Sequence, residues 1–158
     1  MARWGSWATA FLLTATSSQV SLAVIPGGPP AVICINPVGM ALYPEDHGKA
    51  WTKDGVGNGK MEFFETASGK VSLRIFDKRG DAYRPEDQGA QVLTIYSDMS
   101  SGVLSMVVIY PEDGIQESYV VTAGPNESRM LLWTVIRERD RSGQPSKVGA
   151  YSAACSHR

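Results

Sequence analysis

Histidine and cysteine each occur only twice in this chain, and 15 Lys and Arg stand against 16 Asp and Glu for a net charge of −1. Each shortage excludes something. A nucleophile–base pair needs an imidazole or a substitute for one, and His47 and His157 fall in a loop and in the tail. Two thiols and two imidazoles at unrelated spacing do not make a tetrahedral zinc site, and the cysteines do not form a C-x-x-C pair. Ser100-Ser101-Gly102 lacks the framing glycines of a nucleophile elbow, and no glycine-rich loop leads into a helix to cradle phosphate. Balanced charge argues against nucleic acid or an anionic membrane surface as partner. The expectation is a protein with no catalytic residues, no metal and no cofactor, and so not an enzyme.

Long apolar runs are also scarce, and the one near the start has its own explanation. Met1 to Arg3 is short and positive, Trp4 to Thr16 is mostly apolar, and Ser21-Leu22-Ala23 offers small residues for cleavage. Residues 1–23 therefore read as a secretory signal, whose apolar part is too short for the roughly 20 residues a membrane-spanning helix needs. Residues 24–30, with Pro26-Gly27-Gly28-Pro29-Pro30, are an extended lead-in. Residues 31–158 are long enough for a single domain with its own core. Export to the periplasm or the extracellular space gives the cysteines an oxidising compartment, where Cys34 and Cys155 pair. Closing a loop of that length is worth roughly 4 to 5 kcal/mol by unfolded-state entropy.

No segment of residues 24–158 sustains a 3.6-residue apolar period, so almost no helix is expected there. What the chain has instead is runs of β-branched and aromatic residues between turn formers. The clearest is Val103 to Tyr110, a Pro111 to Gly114 turn, Ile115 to Ala123, a Gly124 to Glu127 turn, and Ser128 to Arg137. Further strands are expected over Ala31 to Asn36 with a continuation at Met40 to Tyr43, Met61 to Thr66, Lys70 to Asp77, Ala90 to Ser97, and Lys147 to Cys155. Ala67-Ser68-Gly69 makes a hairpin that sets Glu62 opposite Arg74, with Met61, Phe63, Leu73 and Ile75 inside. Tyr43 to Lys60 reads as a loop or lid. The fold class is all-β: a small antiparallel eight-stranded up-and-down barrel, with a β-sandwich as the alternative. In the barrel the first and last strands become neighbours, which brings Cys34 and Cys155 to the same end.

Tyr43-Pro44-Glu45-Asp46, Tyr83-Arg84-Pro85-Glu86-Asp87 and Tyr110-Pro111-Glu112-Asp113 repeat one short pattern. Turn chemistry explains it, with Pro fixing φ and Asp bonding the backbone, although the three segments would share one rim of a barrel. Asp54, Asn58, Gly59 and Glu65 match some positions of a calcium loop, but Val56 stands where a ligand is needed and no helices flank it. Asn126-Glu127-Ser128 is a glycosylation acceptor pattern.

Two functions follow. One is a barrel that binds a small apolar ligand, and the other is a secreted protein, an inhibitor or an envelope-assembly factor, that meets a protein partner through its surface. Setting Tyr110 opposite Ile115 and Ala123 opposite Ser128 puts Val107, Ile109, Val120, Leu131, Trp133 and Val135 on one face. That face needs a cover: the lid, a partner, a second subunit in a homodimer, or the other sheet of a sandwich. The opposite face collects Met106, Tyr110, Tyr119 and Thr134 around Glu117, the one acid in an apolar set. A carboxylate there must be hydrogen-bonded, protonated or near the rim, and it is the candidate anchor for a ligand's polar end.

Overall fold

The computed structural model describes residues 29–46, 50–124, 126, 128–138, 143 and 145–158. The signal segment, most of the lead-in, His47 and part of the Asn126 pattern lie outside these residues. Ten strands form one antiparallel sheet: β1 (Val32–Leu42), β2 (Thr52–Gly55), β3 (Lys60–Glu65), β4 (Val71–Phe76), β5 (Ala82–Tyr83), β6 (Gln91–Asp98), β7 (Val103–Tyr110), β8 (Ile115–Ala123), β9 (Arg129–Arg137) and β10 (Lys147–His157). All eight expected strands are present, and two short ones, β2 and β5, arise in stretches read as loops.

The order across the sheet is β5-β4-β3-β1-β10-β9-β8-β7-β6, with β2 also on β1. The order is that of an up-and-down meander in which β1 and β10 are joined, as a barrel requires, while the ladder is open between the β5 edge and β6. The sheet curls into a half-barrel around one core that includes Val32, Phe63, Leu73, Leu104, Val108 and Leu131. Burying each such side chain contributes about 1.5 to 3 kcal/mol. A 3-10 turn at Pro85–Gln88 bridges the interruption: Pro85 is buried, and the Ser72 hydroxyl donates to Glu86 Oε1 at 2.8 Å.

The segment Tyr43 to Lys60 is not a lid. β1 pairs with β3 through Val32 to Ile35 and with β2 through Val38 to Ala41, so β2 and β3 share one edge of β1. The exchange occurs at a bulge, where Asn36 adopts φ 51° and buried Pro37 has no N–H to offer a ladder. Asn36 N–H donates to Gly59 O at 2.8 Å, and Val56 N–H donates to Pro37 O at 3.0 Å. On the other side of β1, a Cβ on Gly39 would run into the Ala150 carbonyl, so glycine sets how closely β1 and β10 can approach. Cys34 and Cys155 face each other in the β1–β10 register, and a disulfide joins them across Cα atoms 4.0 Å apart.

The hairpin registers decide which side chains point inward. β3–β4 sets Glu62 opposite Arg74, and β7–β8 sets Tyr110 opposite Ile115, as the turn chemistry predicts. β8–β9 differs by one residue: Ala123 stands opposite Arg129, not Ser128. The loop from 124 to 128 therefore has one residue more than the turn assumed, and every side chain of β9 changes face. Leu131, Trp133 and Val135 point into the core, whereas Met130, Leu132, Thr134 and Ile136 point out and are exposed.

Candidate functional site

β8 carries Glu117 on the inner face of the barrel, between Val108 of β7 and Val135 of β9. It lines a cavity of about 180 Å³ together with Pro37, Met61, Ile75, Tyr83 and Trp133. Burial raises the carboxyl above its ordinary pKa. A hydrogen bond from Tyr119, the charge of Lys147 and the nearby Trp133 indole oppose that rise without cancelling it. Tyr119 Oη donates to Glu117 Oε2 at 2.5 Å. The Trp133 indole N–H lies near enough to favour the charged carboxylate, yet it is buried with no hydrogen bond of ordinary geometry. A buried donor in that condition costs about 1 to 3 kcal/mol, which makes an incoming acceptor favourable.

The surrounding phenols feel the same burial. Burial, with the charges of Glu117 and Asp77, pushes Tyr83 up to about 12. Tyr110 and Tyr119 are raised too, by burial first and by Glu117 next. None of these phenols ionises near neutrality, so each acts as a donor or acceptor and not as a base.

An aromatic row runs from this cavity across the sheet. Phe63 meets Tyr119 edge to face with centroids 6.2 Å apart, Tyr119 stacks on Trp133 at 6.0 Å, and Trp133 stacks on Tyr151 at 4.4 Å. Gly149 makes room for the last ring, because a Cβ there would lie 2.6 Å from the Tyr151 ring. The Tyr151 hydroxyl then donates to Asp54 Oδ2 at 2.7 Å, beside Lys147 Nζ at 2.6 Å. Partial burial would raise Asp54, but hydrogen bonds from Lys147, Tyr151 and the Gly55 N–H outweigh it and hold the carboxyl at about 2. Asp54, the first residue of the calcium-like fragment, is thus engaged by a lysine and a tyrosine.

Of the residues expected around Glu117, Tyr110, Tyr119 and Met106 share its inner face, with Met106 directly opposite Tyr119. Thr134 does not: the β9 register turns it outward. The same shift removes Leu131 and Trp133 from the expected interaction surface, because both are buried in the core. Val107 and Ile109 do face outward and are half-buried. Trp133 and Tyr83 join the site unannounced. A four-residue turn after β8 would put Trp133 on the outer face, and Tyr83 sits on a two-residue strand too short to show alternation.

Acidic side chains in the first two of the three Pro-Glu-Asp segments are engaged. Arg84 pairs with Asp87 at 3.0 Å, Glu86 accepts from Ser72, and Glu45 Oε1 accepts from the Ser146 N–H at 2.8 Å. Among the described residues no three His, Cys, Asp or Glu side chains gather closely enough to hold a metal ion, and no helix is long and apolar enough to cross a membrane. No protein family, curated protein or solved structure matches the chain.

Proposed function

We propose that this chain is an exported, non-enzymatic β-barrel domain that binds one small, mostly apolar molecule inside the barrel. The observation that carries this reading is that a half-buried carboxyl at Glu117, its pKa raised by burial, and a buried Trp133 N–H with no hydrogen bond line one cavity. The volume is of the order that accepts a single ring, since an engineered apolar cavity of about 150 Å³ takes benzene. The ligand presents a hydrogen-bond acceptor to Trp133, and its apolar body lies against Ile75, Met61 and Tyr83. The Cys34–Cys155 disulfide supports export.

The test uses phenol, cyclohexanone, benzamide and hexanoic acid as probes, read by thermal shift and by tryptophan emission. Carbonyl-bearing probes raise the midpoint and perturb the emission, and Trp133→Phe weakens them about tenfold, the value of one hydrogen bond to a buried donor. Absence of binding by every probe at millimolar concentration, or affinities unchanged in Trp133→Phe, overturns the reading.

A second reading, a protein-interaction module acting through its surface, has its own observation. From β7 through β10 to β1, no outward position in the paired registers carries a charge, and Met130, Leu132 and Ile136 stand exposed among them. Leu132→Lys separates the two readings, because it leaves probe binding intact and removes binding of a protein partner.

A further inference from the structure

We propose that β6 is a docking edge on which a second copy of this chain pairs its own β6, antiparallel and about a two-fold axis. The starting observation is an interrupted ladder. Among the described residues β6 is laddered to β7 alone, so the backbone N–H and C=O groups of its other edge face the gap toward β4 and β5. A regular row of such groups is satisfied by one kind of partner, another extended polypeptide.

The side chains of β6 point the same way. Five consecutive residues, Leu93 to Ser97, are exposed, and three of them are large and apolar: Leu93 at 48%, Ile95 at 67% and Tyr96 at 56%. In a strand that belongs only to its own barrel, alternate residues are buried. Here the strand is held by β7 and leaves the core behind after Val92, with both faces in solvent.

Natural edges are protected by lysine, proline, very short strands or bulges. The opposite edge, β5, has two residues and is followed closely by Pro85. β6 has eight residues, and from Gln91 to Ser97 it contains no charge and no proline. Its one protective device is a bulge between Thr94 and Tyr96, and the residue it throws out is isoleucine.

The chain's own neighbours do not complete this edge. The Pro85–Gln88 turn fills one end of the gap, and at the other end a groove of about 530 Å³ separates Val92 to Thr94 from Thr66 to Ser72. On that far wall the turn has its backbone engaged within itself, with Thr66 N–H on Lys70 O and Gly69 N–H on Thr66 O, and β4 makes ladder pairs toward β5 only at Ile75 and Phe76, so β4 and β6 approach without forming a ladder.

A second copy fits for reasons of charge and symmetry. Two-fold antiparallel pairing sets each β6 against the same residues, so apolar meets apolar, and no like charges meet along an uncharged strand. The single acid, Asp98, ends each strand, which places the two copies of it at opposite ends of the pair, roughly 20 Å apart at about 3.4 Å per residue. The pairing is isologous and closes at a dimer.

Sedimentation of the purified protein from low micromolar to about 1 mM, with hydrogen exchange at the same concentrations, tests this. The expected result is a concentration-dependent dimer in which the amides of residues 92–97 gain protection as dimer accumulates. Ile95→Lys and Leu93→Lys, each at an exposed position, weaken the dimer at least tenfold and leave the monomer's thermal midpoint unchanged. A monomer throughout the range overturns the proposal, whatever else copurifies with the chain. So does a dimer of unchanged affinity in both variants, or exchange at residues 92–97 that ignores concentration.

Discussion

Tyr119 and Trp133 stand directly opposite each other on β8 and β9, with rings parallel to within 5° and centroids 6.0 Å apart. Both bring a polar atom to the neighbourhood of Glu117, but only Tyr119 completes a hydrogen bond. Trp133 therefore has two separable roles, packing and an unspent donor. Trp133→Ala removes both and is expected to cost about 3 to 5 kcal/mol in denaturant unfolding. Trp133→Phe keeps most of the packing and deletes the unpaired N–H, so its cost is expected to stay within about 1 kcal/mol. Equal losses in the two variants would show that the indole N–H is satisfied after all.

Glu117 gives a pH dependence whose sign is fixed by burial. Its folded pKa is raised above the ordinary 4.5, so the folded protein holds this proton more tightly than the unfolded chain. The associated stability is fully present below about pH 4.5 and is lost as pH rises through the folded pKa, at up to about 1.4 kcal/mol per pH unit. Glu117→Gln has no proton to lose. Unfolding curves of the two proteins are expected to agree at pH 4 and to diverge above it, with the variant the more stable at neutral pH. Parallel curves from pH 4 to 8 would mean that the carboxyl is solvated.

Asp54 works in the opposite direction. Held at about 2 by Lys147, Tyr151 and Gly55, it contributes stability that is present above the ordinary 3.8 and is lost as pH falls toward 2. Much of the carboxylate is hydrated, which discounts the full linkage value to about 1 kcal/mol. Asp54→Asn is expected to be less stable than the wild type at neutral pH and to match it near pH 2. A difference that persists undiminished at pH 2 would assign the loss to packing.

How far the sequence could be read depended on whether pattern and turn agreed. Met61, Phe63, Leu73 and Ile75 alternate with Glu62 and Arg74, so only one register of β3 and β4 buries the apolar set, and that register is observed. On β9 the pattern was silent. Met130, Leu132 and Ile136 are as apolar as Leu131, Trp133 and Val135, so either face could have been the inner one and the turn had to decide. That loop runs from Gly124 to Ser128, with Gly124 N–H donating to Ser128 O and Asn126 at φ 56°, one residue longer than a four-residue turn. Glu117 was legible because it broke an apolar alternation on β8, whose register with β7 was fixed by the Pro111 to Gly114 turn. Its neighbour Trp133 was not, because a four-residue turn puts β9 one residue out of phase.

The Cys34–Cys155 disulfide has a consequence set by where the ladder is broken. Because the sheet is open between β5 and β6, β1 and β10 lie in its middle, and their pairing joins residues 121 apart in sequence. That pairing closes the longest loop in the molecule, so it costs most entropy to form and slows folding when nothing holds the two strands together. In the oxidised protein the crosslink removes this cost from the unfolded state. The double variant Cys34→Ala, Cys155→Ala is expected to lose about 3 to 5 kcal/mol, the range for a loop of this length, and to refold more slowly than the oxidised wild type. Denaturant unfolding and stopped-flow refolding check both effects. The β7–β8–β9 meander needs no such crosslink, because its two hairpins are local. Hydrogen exchange on the double variant is therefore expected to show protection lost first in β1 and β10 and retained longest in β7 to β9. Uniform loss across all strands would mean that the sheet unfolds as one unit and that the disulfide acts on the whole of it.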